Sequence, residues 1–308
     1  MQGGGEDFLG SYDRKQPFFL YVGFNAPHDP YTRIPAFEAA YRDEAGRSKV
    51  PLFDNFLPQP PVDPGVMSIR DEVLLPHPLV PEAVQNQNAI YYAMISHLDS
   101  WVGKILDQLQ ARGLADNTLV IFTSDHGLAR GSHGLLGKQN VYEHSLKVPM
   151  ILRGPGITAG GRSTSPIYNF ELYKTIAELA LATPKAGQVE GESFLPIASG
   201  RAKANRNVVY DGYTSLMRAV VEGDWKLIET HVKKVRSTQL FNLAADPSEK
   251  TNLATDPARA EKLKSLRQQM IVQRGVWDDH DPAYWNNIGF GPELKNPKAP
   301  SPSDSKDF

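Results

Sequence analysis

Cysteine is absent from all 308 residues, which excludes disulfides, thiolate metal sites and a cysteine nucleophile together. Long apolar runs are missing as well. No stretch approaches the roughly 20 residues needed to cross a bilayer, and Met1 to Gly10 has neither the basic start nor the apolar run of a signal peptide. Nor does one sign of charge dominate, with 33 Lys and Arg against 35 Asp and Glu and a formal net charge of -2. A phosphate-backbone binder needs a basic face, so nucleic acid is not an expected partner.

What is present reads as an ordinary globular chain, 41% hydrophobic and 22% charged, long enough for one large α/β domain or for one domain with a smaller appendage. Pro17 to Val22 has the length and the aromatic, β-branched content of a buried strand. From Asn25 to Pro81 the chain is rich in Pro and poor in periodicity, a long irregular excursion. Ile90, Met94, Ile95, Leu98, Val102, Ile105, Leu106 and Leu109 are spaced for one face of a helix that Gly113 would cap. Thr118 to Thr123 (TLVIFT) reads as a central parallel strand, which with the helix and the first strand makes a βαβ-type unit. Val148 to Leu152 is a further strand, and Phe170 to Ala182 a helix behind Asn169 as N-cap. After Gly200 the pattern changes to short strands at Val208–Tyr210, Met217–Val221, Trp225–Glu229 and Gln239–Leu243, with a tight hairpin at 222–224 and a helix from about Pro257 to Met270. The tail beyond Gly275, with exposed-looking aromatics, is expected to be irregular.

The densest chemistry lies between Ser124 and His144, SDHGLARGSHGLLGKQNVYEH, just past the end of a strand, where open α/β sheets place ligands. Asp125 offers hard oxygen donors and His126 a borderline nitrogen, a pair suited to Ca, Mg or Mn and compatible with Zn. Gly134 and Gly137 would let the backbone approach a ligand, and the Lys138 ammonium suits an oxyanion such as sulfate or phosphate. His28 and Asp29 sit on a Pro-stiffened loop at the same sheet edge, where His28 could donate to an oxyanion or protonate a leaving group. On spacing alone, Asp-His-Gly after a strand is equally a solvated turn, Lys138 a surface lysine and His28 a partner for a loop carbonyl. His133 and His144 are further candidate ligands whose separations from His126 match no compact zinc signature.

Five ordered blocks, PFFLYVGFNAPHDPY, YYAMISHLDSWVGKILDQL, NTLVIFTSDHG, GSHGLLGKQNVYEHSLKVPMILRGPGI and GDWKLIET with TQLFNLAADPSEKTNLA, together resemble the sulfatase family of the alkaline-phosphatase superfamily. The resemblance implies an α/β fold with a mostly parallel central sheet flanked by helices and a small carboxy-terminal antiparallel sheet plus helix. It implies sulfuric ester hydrolysis, with Asp125 and His126 as metal ligands, Ca first and Mg or Mn as alternatives. Lys138 and His28 become the sulfate-contacting and catalytic residues, with His133 a third substrate-binding candidate. The family's formylglycine arises in a C/S-x-P-S-R motif that this sequence does not contain, and nothing before Phe18 matches the family's Asp-Asp metal pair. The chain is therefore expected to be the second half of the constellation and inactive alone.

The implied organisation is a partial catalytic domain over 1–200, an antiparallel subdomain with its helix over 201–275 and an irregular tail over 276–308. The implied substrate is a sulfated small molecule or carbohydrate. The alternatives are a non-catalytic sulfatase-like binding module and a phosphatase or phosphonate hydrolase of the same superfamily. An open sheet edge left by missing strands predicts a homo-oligomer or a complementing fragment, and family habit places such proteins in the periplasm or outside the cell.

Overall fold

The computed structural model describes residues 4–183, 187 and 189–289. Helix α1 (Gly4–Ser11) lies against the long helix α2 (Pro81–Ala111) and buries Leu9 completely. Pro81 starts α2 at a position where its missing N–H costs nothing. Val84, Ala89, Ala93, Met94 and Leu109 are buried along it. It ends in a Schellman turn: Leu114 N donates to the Leu109 carbonyl and Gly113 N to that of Gln110, both at 2.9 Å, with Gly113 at φ +63°.

Strand β1 (Val120–Thr123) then pairs with β2 (Met150–Arg153), and the pairing is antiparallel, Phe122 opposite Ile151. The parallel reading of TLVIFT therefore fails for this pair, and the strand is only half-buried, with Phe122 38% exposed: a continuous apolar run fixes neither strand direction nor cover. Residues 18–22 also differ from expectation. They run extended with inward and outward sides alternating, but join no ladder among the described residues, and Phe19 and Tyr21 are 70% and 82% exposed. An apolar strand sequence becomes a buried strand only where a partner meets its backbone groups. The chain between 25 and 80 is irregular, with single turns such as Pro35–Glu38.

Short helix α3 (Glu143–Leu146) precedes β2, and α4 (Leu172–Leu179) follows a 3-10 turn at Asn169–Glu171. Asn169 is not the N-cap expected of it. The Glu171 carboxylate takes the Tyr168 N–H at 2.8 Å, and the Asn169 amide instead donates to the carbonyls of Ser124 and Asp125 at 2.8 and 3.2 Å.

Strands β3 (Val208–Tyr213), β4 (Met217–Glu222), β5 (Trp225–Val232) and β6 (Val235–Asn242) form an antiparallel meander in chain order. The two-residue turn Gly223-Asp224 joins β4 to β5, with Gly223 at φ +56°. Alternation gives this sheet two working faces. Met217, Ala219, Ile228 and Phe241 pack against Ala129, Leu135, Val141 and Tyr142 of the 124–144 loop, while Tyr210, Val220, Leu227 and Leu240 pack against Leu266 and Met270 of helix α5 (Ala260–Val276). The loop richest in chemistry thus has a sheet for its floor.

The described part of the tail is ordered against that sheet. Helix α6 (Pro282–Trp285) buries Tyr284 completely, its hydroxyl donating to the Glu229 carbonyl at 3.0 Å, and Trp277 and Trp285 join the α5 face. The aromatics expected to be exposed in an irregular tail are instead anchors. Residues 290–308 of the expected tail lie outside the described residues.

Candidate active site

The 124–144 loop is braced by its own backbone. Gly127 N donates to the Ser145 carbonyl at 2.9 Å and Ala129 N to that of Gly137 at 2.9 Å, so the segments carrying Asp125 and Lys138 belong to one turn system. Its glycines are required by the protein's own packing. A Cβ on Gly134, at φ +71°, would lie 2.1 Å from the Gln59 carbonyl carbon, and one on Gly137 would lie 2.8 Å from Asp71 Cβ. The loop closes on the Pro-rich excursion, where Glu72, 1% exposed, accepts hydrogen bonds from Leu136 N at 2.9 Å and Gly137 N at 2.8 Å. Burial pushes the Glu72 carboxyl above its usual range, against the pull of those two donors.

Lys138 follows directly and points its Nζ at His28 Nε2, 3.4 Å away across 110 residues of sequence. The His28 Nδ1 lies 2.7 Å from the Asp29 carbonyl oxygen; with its hydrogen donated there, Nε2 presents a lone pair. Arg70 Nη2 reaches the same Nε2 at 3.4 Å, and also Asp29 Oδ1 and Asp71 Oδ1, each at 3.1 Å. Asp71 sits behind both cations, its Oδ2 lying 3.7 Å from Lys138 Nζ and accepting from Gln139 Nε2 at 2.9 Å. Burial works to raise the Asp71 carboxyl, but the hydrogen bonds from Gln139 and Arg70 and the charge of Lys138 outweigh it and hold the group below its ordinary value.

Asp125 and His126 form a second pair. The Asp125 carboxylate, 82% exposed, lies 3.2 Å from His126 Nε2 and accepts from His126 N at 3.0 Å. His126 Nδ1 lies 3.0 Å from the Gly127 carbonyl, the orienting bond that frees Nε2 to ligate. The donor chemistry and ring orientation suit a divalent cation, and the count of donors is short. No group of three or more His, Cys, Asp or Glu side chains that could hold a metal occurs among the described residues.

No direct contact joins the two pairs among the described residues, but an aromatic cluster lies within electrostatic reach of both. The Arg130 guanidinium stacks on Tyr31 at 4.7 Å and on Tyr91 at 4.6 Å. Burial raises both phenols, with Asp29 and Asp71 adding to the effect at Tyr31 and Asp125 at Tyr91.

His133 is not part of either pair. It is 3% exposed, stacked on Tyr142 at 4.0 Å between ring centroids, with Nε2 2.9 Å from the Glu249 carbonyl. His144 tilts against the same tyrosine at 5.6 Å, and burial, with the charges of His133 and Lys226, holds it well below the ordinary histidine value. Sequence reasoning missed Arg70, Asp71, Glu72 and Arg130. The only signal for the first three was a compact charged run, Arg70-Asp71-Glu72, inside a Pro-rich segment.

Residues 4–182 of the 308 match the family model described as sulfatase. The chain belongs to the sulfatase family. Residues 131–275 of this sulfatase chain also match the model described as N-sulphoglucosamine sulphohydrolase, C-terminal. It is 32% identical to the choline-sulfatase of Rhizobium meliloti over 278 residues, 86% of this chain and 52% of the relative. It is 29% identical to arylsulfatase K of Danio rerio over 280 residues, 83% of this chain and 52% of that protein. Among solved structures, one bound to its substrate D-glucosamine-2-N,6-O-disulfate is 26% identical, with a TM-score of 0.62 over 69% of this chain and 45% of its own. The phosphonate monoester hydrolase of Agrobacterium radiobacter, 23% identical with a TM-score of 0.67 over 87% of this chain and 60% of its own, shares the fold. The sulfatase chain thus spans about half the length of the curated relatives it matches. Its fold class is α/β of the alkaline-phosphatase-like kind, with the small antiparallel sheet and helix at the carboxy-terminal end.

Proposed function

We propose that this chain supplies the anion-gripping half of a site that hydrolyses sulfate esters, with sulfated carbohydrates as the substrate class. The supporting observation is the 3.4 Å approach of Lys138 Nζ to His28 Nε2, which brings two residues 110 apart in sequence to one point. A tetrahedral anion entering there meets the Lys138 ammonium as a compact charge. With Nδ1–H donated to the Asp29 carbonyl, His28 must also carry a proton at Nε2 to act, and it gives that proton to the oxygen that departs as the alcohol. Glu72 holds the backbone ahead of Lys138, and Asp71 keeps the ammonium from swinging into solvent.

Asp125 and His126 would hold a divalent cation, Ca first, as two of its ligands; when bound, such an ion neutralises charge on the sulfate oxygens. Asn169 fixes the backbone of that pair through the Ser124 and Asp125 carbonyls. Within this reading, residues 1–200 are the partial catalytic unit and 201–275 the subdomain that floors it, the shared core described above packing one against the other. The C/S-x-P-S-R segment that becomes formylglycine in the family has no counterpart in these 308 residues, so the nucleophile must be supplied from outside them. Residues that act as one catalytic unit do not replace one another, and the chain alone turns over no sulfate ester.

Two measurements test this. Incubation with a chromogenic aryl sulfate and Ca should give no release above background, and clear metal-dependent turnover would overturn the claim of inactivity. Titration with sodium sulfate should shift the His28 ring resonances and lose that effect in Lys138→Ala; unchanged resonances in the parent chain would overturn the site itself.

A further inference from the structure

Arg70 lies outside the sulfate-gripping pair, yet its guanidinium is aimed at the same point. Nη2 is 3.4 Å from His28 Nε2, the atom that Lys138 Nζ also approaches to 3.4 Å. Nε and Nη2 are spent on Asp71 Oδ1 at 3.3 and 3.1 Å, and Nη2 again on Asp29 Oδ1 at 3.1 Å. The two carboxylates are sealed, with side chains 7% and 13% exposed, while that of Arg70 is 61% exposed. The acids therefore anchor the inner edge of the guanidinium, and the outer edge faces solvent, where Nη1 has no partner among the described residues. Asp71 is committed in turn, its other oxygen taken by Gln139 and Lys138. With Nε and Nη2 spent, what faces solvent is Nη1, a permanently charged donor held in place at the mouth of an anion site and able to take a carboxylate or sulfate oxygen.

We infer that Arg70 forms a second anion subsite beside the sulfate-gripping pair, one that takes an acidic substituent, a carboxylate or a second sulfate, carried by the same substrate molecule. This deepens, and rests on, the sulfate-ester reading of His28 and Lys138. A substrate seated at Lys138 with its sulfate places its neighbouring ring positions at the rim that Arg70 occupies. The preferred substrate is thus a polyanionic sugar. A sulfate ester of a cationic alcohol, such as choline sulfate, would set a quaternary ammonium against a fixed guanidinium and is disfavoured. The two members of the anion class, carboxylate and sulfate, both offer an oxygen to Nη1, and the probes below separate them.

The test is equilibrium binding by calorimetry to the full chain of N-acetylglucosamine monosulfate, glucosamine disulfate, a monosulfated disaccharide bearing a uronate, and choline sulfate, in the parent, Arg70→Ala and Arg70→Lys. The parent should bind the disulfate or the uronate sugar about tenfold more tightly than the monosulfate, the size expected of one charge-assisted hydrogen bond. Whichever of the two gains more identifies the anion. Arg70→Ala should bring that ratio to about one, lowering disulfate or uronate affinity more than monosulfate affinity, and Arg70→Lys should recover part of it, because the charge is kept without the guanidinium's fixed direction. Loss of monosulfate and disulfate binding in equal proportion, no change in either, or choline sulfate bound as tightly as the disulfate would each overturn the subsite. Thermal melts of both variants check folding, and Arg70→Lys carries the test should Arg70→Ala unfold. Failure of the underlying site is distinguishable: monosulfate binding would then persist unchanged in Lys138→Ala.

Discussion

Replacing Lys226 by methionine should destabilise the molecule more than any exposed substitution near the site, through a charge left without its partner. Lys226 projects from β5 and is 0% exposed, with its Nζ 2.8 Å from Glu143 Oε1 and 2.8 Å from Glu249 Oε1. Burial alone would drive the ammonium toward its neutral form, but the two carboxylates reverse that and raise it above its ordinary value. Glu249 is 2% exposed and has a second task, accepting from Glu143 N at 2.7 Å at the start of α3. Methionine keeps the volume and removes the charge, which leaves Glu249 as an uncompensated buried anion. Breaking a buried pair in this way costs about 3–5 kcal/mol. At roughly 2–4 °C per kcal/mol for a chain of this size, the melting temperature should fall by roughly 6–20 °C. Removing both charges, in Lys226→Met with Glu249→Gln, should recover much of the loss, since a neutral pair carries little desolvation penalty. Urea unfolding followed by circular dichroism of the parent, the single variant and the double variant reads all three. A single variant within about 1 kcal/mol of the parent, or a double variant no better than the single, would refute the reasoning. Because α3 also carries the Ser145 carbonyl that holds Gly127, the same variant should weaken sulfate binding in the titration of His28.

Glu72→Ala should cost about 1–3 kcal/mol for each of the two orphaned N–H groups, Leu136 and Gly137, and should lower sulfate affinity by loosening the Lys138 backbone; unfolding midpoints and sulfate titration check both. Acid should destabilise the fold earlier than carboxylates alone would. Burial holds His133 below, and His144 well below, the ordinary histidine value of 6.5. Between each folded value and about 6.5, the unfolded chain binds a proton that the folded chain refuses. Stability is therefore complete above about 6.5 and falls as the pH drops, by up to about 1.4 kcal/mol per pH unit for each ring. Unfolding curves from about pH 7.5 to 5 should show this slope, and His144→Gln should reduce it; a flat profile in the parent would contradict the assignment. Phe19 and Tyr21, exposed by 70% and 82% on one side of an unpaired extended segment, predict association there. Light scattering should give a mass above the monomer that falls toward it in Phe19→Ser with Tyr21→Ser, and a monomeric parent at all concentrations would remove the expectation.

Local pattern was enough for the long helix, its glycine stop and the four-strand meander, because a 3.6-residue or two-residue repeat of apolar side chains is written in adjacent positions. The dense polar run after β1 was equally readable, since Asp125, His126 and Lys138 lie within one loop. His28 was marked by its Pro-flanked setting, but nothing local tied it to Lys138. The contact between them exists because Glu72 and Asp71, from a segment without periodicity, seal the loop that carries Lys138.

The same limit explains the errors. TLVIFT marks an apolar strand but neither its cover nor its direction, because both are set by what meets it, here β2 running the other way. His133 looks like any loop histidine, and only the closing of the loop over the meander puts its ring against Tyr142 and Glu249. Arg70 looks like any solvated arginine, and only the arrival of Asp29, Asp71 and His28 from other parts of the chain turns it into a held donor. From sequence alone came the family, the elements with strong local periodicity and the residue types able to grip a cation and an anion. Tertiary structure decided which of those side chains meet, because charge and hydrogen-bond partners are chosen through space, where residues 110 apart in sequence stand 3.4 Å from each other.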